Sequence, residues 1–171
     1  LFLSYGTSSN VHSFLIVFGF VDESMTECFS EITFPDPSDR HKAFGCEERA
    51  IMVFSCADGS MTSAVYDSVL YDVLGKQHQP KEQDAFYTAH IREDLETMDA
   101  MRRKYAGSVA HVIRNHATSK LKELDLKWKR IEELRAEVSL DCDANPNLEV
   151  IARHNSFLRG VFLKVKAGVE P

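Results

Sequence analysis

Apolar residues along the chain follow two rhythms, and the change falls near Met61. Before that point they come in short runs separated by Gly, Ser, Pro and Asp. Leu1 to Leu3 reads as the end of a strand, and Ser8 or Ser9 is placed to cap a short helix reaching Val17, ahead of a turn at Gly19. Glu31 to Phe34 alternates polar and apolar, the pattern of a half-buried strand. It stops at Pro35-Asp36-Pro37-Ser38-Asp39, a loop by turn chemistry. Ala50 to Cys56 predicts a second strand, bounded by Asp58-Gly59. The stretch from Asp22 to Glu48 is net acidic and predicts a solvated surface.

From Met61 the spacing becomes helical. Met61, Val65, Val69, Leu70, Val73 and Leu74 mark a helix that ends at Gly75, followed by a polar connector from Gln77 to Pro80. Ile91, Leu95, Met98, Tyr105, Val109 and Val112 then keep a heptad-like spacing, broken only by Arg102, with charges of both signs opposite. A second run contains Leu121, Leu124, Trp128, Ile131 and Val138, and the polar interval Asn115 to Ser119 predicts a break between two antiparallel helices. Gly107 weakens the first of these by the usual glycine penalty. Pro146, at the end of a loop from Asp141, is placed to start a last helix carrying Leu148, Ile151, Phe157 or Leu158, Val161 and Val165 and ending at Gly168.

Composition narrows the classes. With 171 residues, 44% apolar and 27% charged, the chain is in the globular range, with room for a small lobe and a helical domain. A formal charge of -6 argues against a protein built to neutralise phosphates, so nucleic acid is not an expected partner. Phe14 to Val21 is too short to span a bilayer and lacks the basic lead of a secretory signal, so no membrane role is expected and the chain reads as intracellular and soluble. Cys28, Cys46, Cys56 and Cys142 form no close pair, and no Asn-x-Ser/Thr acceptor occurs, so the cysteines read as reduced thiols. His111 and His116 are five apart, on different helix faces, and read as packed or solvated rather than metal-binding. Arg102-Arg103-Lys104 and Lys127, Lys129, Arg130 read as solvated faces with local pairs.

One segment carries candidate chemistry. Leu1-Phe2-Leu3-Ser4-Tyr5-Gly6, Ser9-Asn10 and Phe18-Gly19-Phe20-Val21 set two aromatic-and-glycine turns about fifteen residues apart, able to bring a phenol and aromatic faces around one pocket. This order resembles the closing motif of SET-domain protein methyltransferases, in the subgroup typified by the Rubisco large-subunit lysine methyltransferase, which also includes an actin histidine methyltransferase. The resemblance is specific over residues 1–21 and rests on order and pattern beyond them.

The resemblance implies an α+β fold, predominantly α: the end of a SET domain over residues 1–24, a strand and loop connection over 25–60, and a helical substrate-binding bundle over 61–171. It implies S-adenosylmethionine as methyl donor and a protein substrate presenting lysine or histidine. Tyr5 matches the tyrosine at the methyl-transfer centre. Phe20 matches an aromatic packed against the cofactor, and Phe18 stands where many members carry Tyr. The family's Gly-containing strand and Asn-His pair have no counterpart ahead of Tyr5, and Asn115-His116 lies in the helical region and does not substitute for them. The expectation is therefore the carboxy-terminal part of a methyltransferase, inactive by itself, with material missing before Leu1. A non-catalytic helical interaction module is the alternative, favoured by Phe18; a coiled-coil dimer is a weaker third.

Overall fold

The computed structural model describes residues 24, 26–32, 39–44, 50–138 and 146–169. Within them the chain is α+β and predominantly α. Strands β1 (Glu27–Ile32) and β2 (Ala50–Ser55) form one antiparallel pair. The helices are α1 (Asp39–Ala43), α2 (Ser63–Lys76), α3 (Pro80–Ile91), α4 (Leu95–Val138) and α5 (Pro146–Gly168). Two compact units share these elements. Of the described residues, one unit holds those up to Phe29, Phe54–Ser60 and Ala117–Gly168. The other holds Ser30–Val53, Met61–His116 and Val169.

In the unit built on the first half of α4, α2 buries Val65, Val69, Leu70, Val73 and Leu74 at the spacing its sequence predicts. It packs against α3, which buries Phe86 and Ala89. Phe44, just after α1, lies among aromatics of both helices, with ring centroids 5.3 Å from Tyr71 and 5.6 Å from Phe86. Met98, Tyr105, Val109 and Ile113 of α4 complete this core. The Ser30 hydroxyl meets Nε2 of His116 at 2.8 Å, so His116 is engaged with β1 within the same unit. The acidic interval is thus not simply solvated, because Cys28, Ser30, His41 and Phe44 are all buried. Its strand also begins four residues before the predicted Glu31. Small Cys28 and Ser30 supply the inward positions, where an apolar alternation would not reveal them.

Two expected helix boundaries are corrected. The interval Asn115 to Ser119 is helical, and α4 runs unbroken through it. Ala117 is fully buried there, so the apolar stripe passes through a small side chain instead of stopping, and no proline or glycine interrupts the backbone. The true break lies earlier, at Arg92 to Asp94. Glu93 takes the left-handed conformation, and Asp94 caps α4 by accepting from the Thr97 amide and hydroxyl at 3.1 and 2.7 Å. Ile91 and Leu95 therefore sit at a corner, 57% and 65% exposed, instead of joining the stripe. Val112 is half-buried, and Ile113 takes the core position. Helix α5 has the predicted limits, Pro146 and Gly168.

Candidate functional site

Tyr5, Phe18 and Phe20, the residues matched to catalysis and cofactor binding, lie outside the described residues, as do the predicted strand at Leu1 to Leu3 and the helix to Val17. The loop at Pro35 to Ser38 lies outside them too. Among the described residues, no group of three or more His, Cys, Asp or Glu side chains is arranged to hold a metal ion, and no helix is long and apolar enough to cross a membrane.

The described residues do form an open cleft of about 690 Å³ in the unit containing α5, and this is the candidate site. It is built from the bottom by helix periodicity. Ala152, Ser156 and Gly160 recur every four residues along α5, so they share one face and give it a low floor. A Cβ added at Gly160 would meet nothing within 4 Å, so the space above the floor is open there. Buried contacts along α5, some of them beneath the cleft floor itself, hold the helix in place. Ile131 of α4 packs with Leu148 and Ala152, while Leu158, Val161, Phe162 and Val165 are buried further along. The buried Asn155 amide donates to the Leu124 carbonyl at 2.9 Å, satisfying a polar group inside this interface.

One end of the cleft is set by the turn after β2. Gly59 has φ +76°, a conformation favouring glycine, and a Cβ there would sit 2.7 Å from the Lys164 carbonyl carbon and 2.8 Å from the Val165 Cα. The turn is closed by Asp58, whose carboxylate accepts from the Ser60 amide at 2.9 Å. Hydrogen bonds from the Ser60 amide, then from the Ser60 and Ser55 hydroxyls, hold that carboxyl down to about 2. Lys164 Nζ donates to the Cys56 carbonyl at 2.8 Å, tying α5 to the same turn. Cys28 and Cys56 are both buried free thiols in this region. Burial, then the proximity of Cys56, pushes the Cys28 thiol up to about 12, which leaves it protonated and a poor nucleophile.

The other end is set by Trp128 and Arg135 of α4 and Glu149 of α5. Arg135 donates to Glu149 at 2.9 and 3.0 Å, to Glu132 at 2.7 Å, and lies with its guanidinium carbon 5.6 Å from the Trp128 ring centroid. The sequence pattern put Trp128 in the core run; the structure leaves it 37% exposed as a wall of the cleft. The signal available for the cleft was the small-residue repeat on α5, which periodicity of large apolar residues passes over.

The basic clusters divide. Lys127 pairs with Glu123 and Arg130 with Glu133 along the exposed face of α4, as their spacing predicts. Arg102 does not behave as a solvated residue, because it engages the buried Asp67 of α2.

No protein-family model matches the chain, and neither a curated protein nor a solved structure matches it.

Proposed function

We propose that this chain is the carboxy-terminal part of an S-adenosylmethionine-dependent protein N-methyltransferase of the SET-domain class, and that its helices hold the protein substrate. The observation that carries the reading is the succession in the sequence of Ser4-Tyr5-Gly6, Ser9-Asn10 and Phe18-Gly19-Phe20-Val21, with a short strand pair and then helices following among the described residues. That succession is what the SET resemblance implies. The methyl donor supplies a methyl group on a sulfonium. The chain's part is to present a neutral lysine or histidine nitrogen in line with that carbon, which calls for alignment and exclusion of water more than for a strong base. Tyr5 is the group assigned to orient that nitrogen, with Phe20 and Phe18 as apolar walls against the donor.

The test uses the full-length protein with radiolabelled methyl donor and a soluble protein pool. Tyr5→Phe should lower methyl transfer by about a hundredfold, in line with loss of one positioned polar group, while leaving the melting temperature unchanged. Turnover equal to the wild type removes Tyr5 from the centre. Absence of transfer by the wild type, with binding of a protein partner retained, selects the non-catalytic interaction module that Phe18 favours.

A further inference from the structure

Two buried free thiols, Cys28 and Cys56, lie in the unit that holds the cleft. The Cys56 amide donates to the Thr26 carbonyl at 2.8 Å, which sets position 56 against 26 in the antiparallel ladder. Two residues inward Phe54 stands opposite Cys28, and the limits Glu27–Ile32 and Ala50–Ser55 match that register from end to end. Cys28, Phe54 and Cys56 are all buried, so Cys56 is the diagonal neighbour of Cys28 on the inner face. Burial first, and then the nearness of Cys56, raise the Cys28 pKa, so the two thiols act on each other. Cys56 also lines the cleft, which gives a small oxidant a path to it.

We propose that Cys28 and Cys56 form a reversible disulfide that couples the oxidation state of the chain to the shape of the cleft end. The oxidant is a peroxide. The Cys56 sulfur attacks one peroxide oxygen, the O–O bond breaks, and water departs to leave a sulfenic acid on Cys56. The Cys28 sulfur then displaces that hydroxyl, which leaves as water with the Cys28 proton. Two thiols and one peroxide become one disulfide and two waters. At a pKa of about 12, roughly one Cys28 in 10⁵ is a thiolate at pH 7. Its position beside Cys56 offsets that handicap, since effective molarities of aligned neighbours reach about 10⁵ M or more.

The bond would be strained. Diagonal strand neighbours have Cα atoms roughly 7–8 Å apart, whereas a disulfide spans at most about 6.8 Å, so closure draws the two together by about an ångström. Cys56 follows the last residue of β2, so the shift falls on the turn and not on the ladder. That turn is fastened to α5 by Lys164, which donates to the Cys56 carbonyl, and by Gly59 against the helix backbone. Strain also makes the bond easy to reduce, as a reversible device requires.

The folded chain is treated with hydrogen peroxide, free thiols are blocked in urea, and the digest is read by mass spectrometry without reduction. A Cys28–Cys56 linked peptide should form at least about tenfold faster than in urea, and dithiothreitol should return both thiols. Cys56→Ser should abolish the link and leave Cys28 a thiol, while Cys28→Ser should leave a Cys56 sulfenic acid that dimedone traps. Oxidation should speed deuterium exchange at the Gly59 amide, which donates to the Ser55 carbonyl at 2.8 Å, and reduction should reverse the change. Links through Cys46 or Cys142 in place of this one, Cys56 oxidised beyond the sulfenic acid with Cys28 still a thiol, or a rate equal to that in urea overturns the proposal. Exchange that oxidation leaves unchanged overturns its effect on the cleft. No methyl donor takes part, so these results and that of Tyr5→Phe stand or fall separately.

Discussion

Arg102 donates from Nε and Nη2 to both carboxylate oxygens of Asp67, at 2.8 and 2.6 Å, joining α4 to α2 in the unit they share. This is the residue that interrupts the apolar spacing of α4. The interruption is answered by an acid in α2 that is only 4% exposed, within the run Val65 to Leu74 that is otherwise mostly apolar. Asp99 provides a second partner at 2.7 Å, and Asp67 raises the guanidinium pKa above its ordinary value. A buried pair costs desolvation at both ends, so its removal as a pair and its removal by halves have different consequences.

Asp67→Ala strands a partly buried guanidinium and should cost about 3 kcal/mol in urea unfolding. Replacing both residues with Leu should recover most of that loss, because the site then becomes continuous with the apolar stripe. A single variant as stable as the wild type would show that the pair contributes nothing.

Two glycines should respond to alanine with opposite signs. Gly59 combines a positive φ with backbone of α5 inside the radius of a Cβ, so Gly59→Ala should destabilise by at least about 2 kcal/mol and loosen the cleft end. Gly107 lies in the interior of α4 with nothing near a built Cβ, so Gly107→Ala should stabilise by about 0.5–1 kcal/mol. Thermal melts of the two variants settle both, and a shift in the same direction for each contradicts the assignment.

Cys28 gives the fold a pH dependence on the alkaline side. Its folded-state pKa is raised to about 12, while an unfolded cysteine titrates near 8.5 (an approximate reference value). The folded state therefore keeps a proton that the unfolded chain gives up. The stabilisation is complete below the unfolded value and declines as pH rises from there toward 12. Denaturant midpoints should fall over that window, and Cys28→Ala should flatten the decline. At pH 8, iodoacetamide should leave Cys28 unmodified in the native protein and label it in urea, as read by mass spectrometry.

The sequence exposed the elements whose ends are written in proline and glycine. Helix α5 begins at Pro146 and ends at Gly168, and both are local signals that need no tertiary information. The α3–α4 corner is written in subtler chemistry. Glu93 adopts a conformation that its residue type does not advertise, and the cap Asp94 sits inside a spacing that reads as one continuous stripe. The absent break at Asn115 to Ser119 teaches the converse, since polar residues around a buried Ala117 do not end a helix. As for the site, the motif around Tyr5 is legible as a resemblance and lies outside the described residues. Of the cleft, only the small-residue repeat on α5 was written in the sequence; its wall was not, because a residue such as Trp128 is distinguished from a core residue only by what fails to cover it.

Helix α3 is joined to its neighbours through His78 and Glu93, two residues other than glycine with φ of 55° and 56°. Each corner stores roughly 1 kcal/mol of backbone strain that the packing of the helix holds in place. Only Phe86 and Ala89 of its twelve residues are buried. Detaching α3 would relax both hinges together, at the cost of uncovering Phe86 and the aromatic cluster it joins. Its amides should accordingly exchange with deuterium ahead of those in α2.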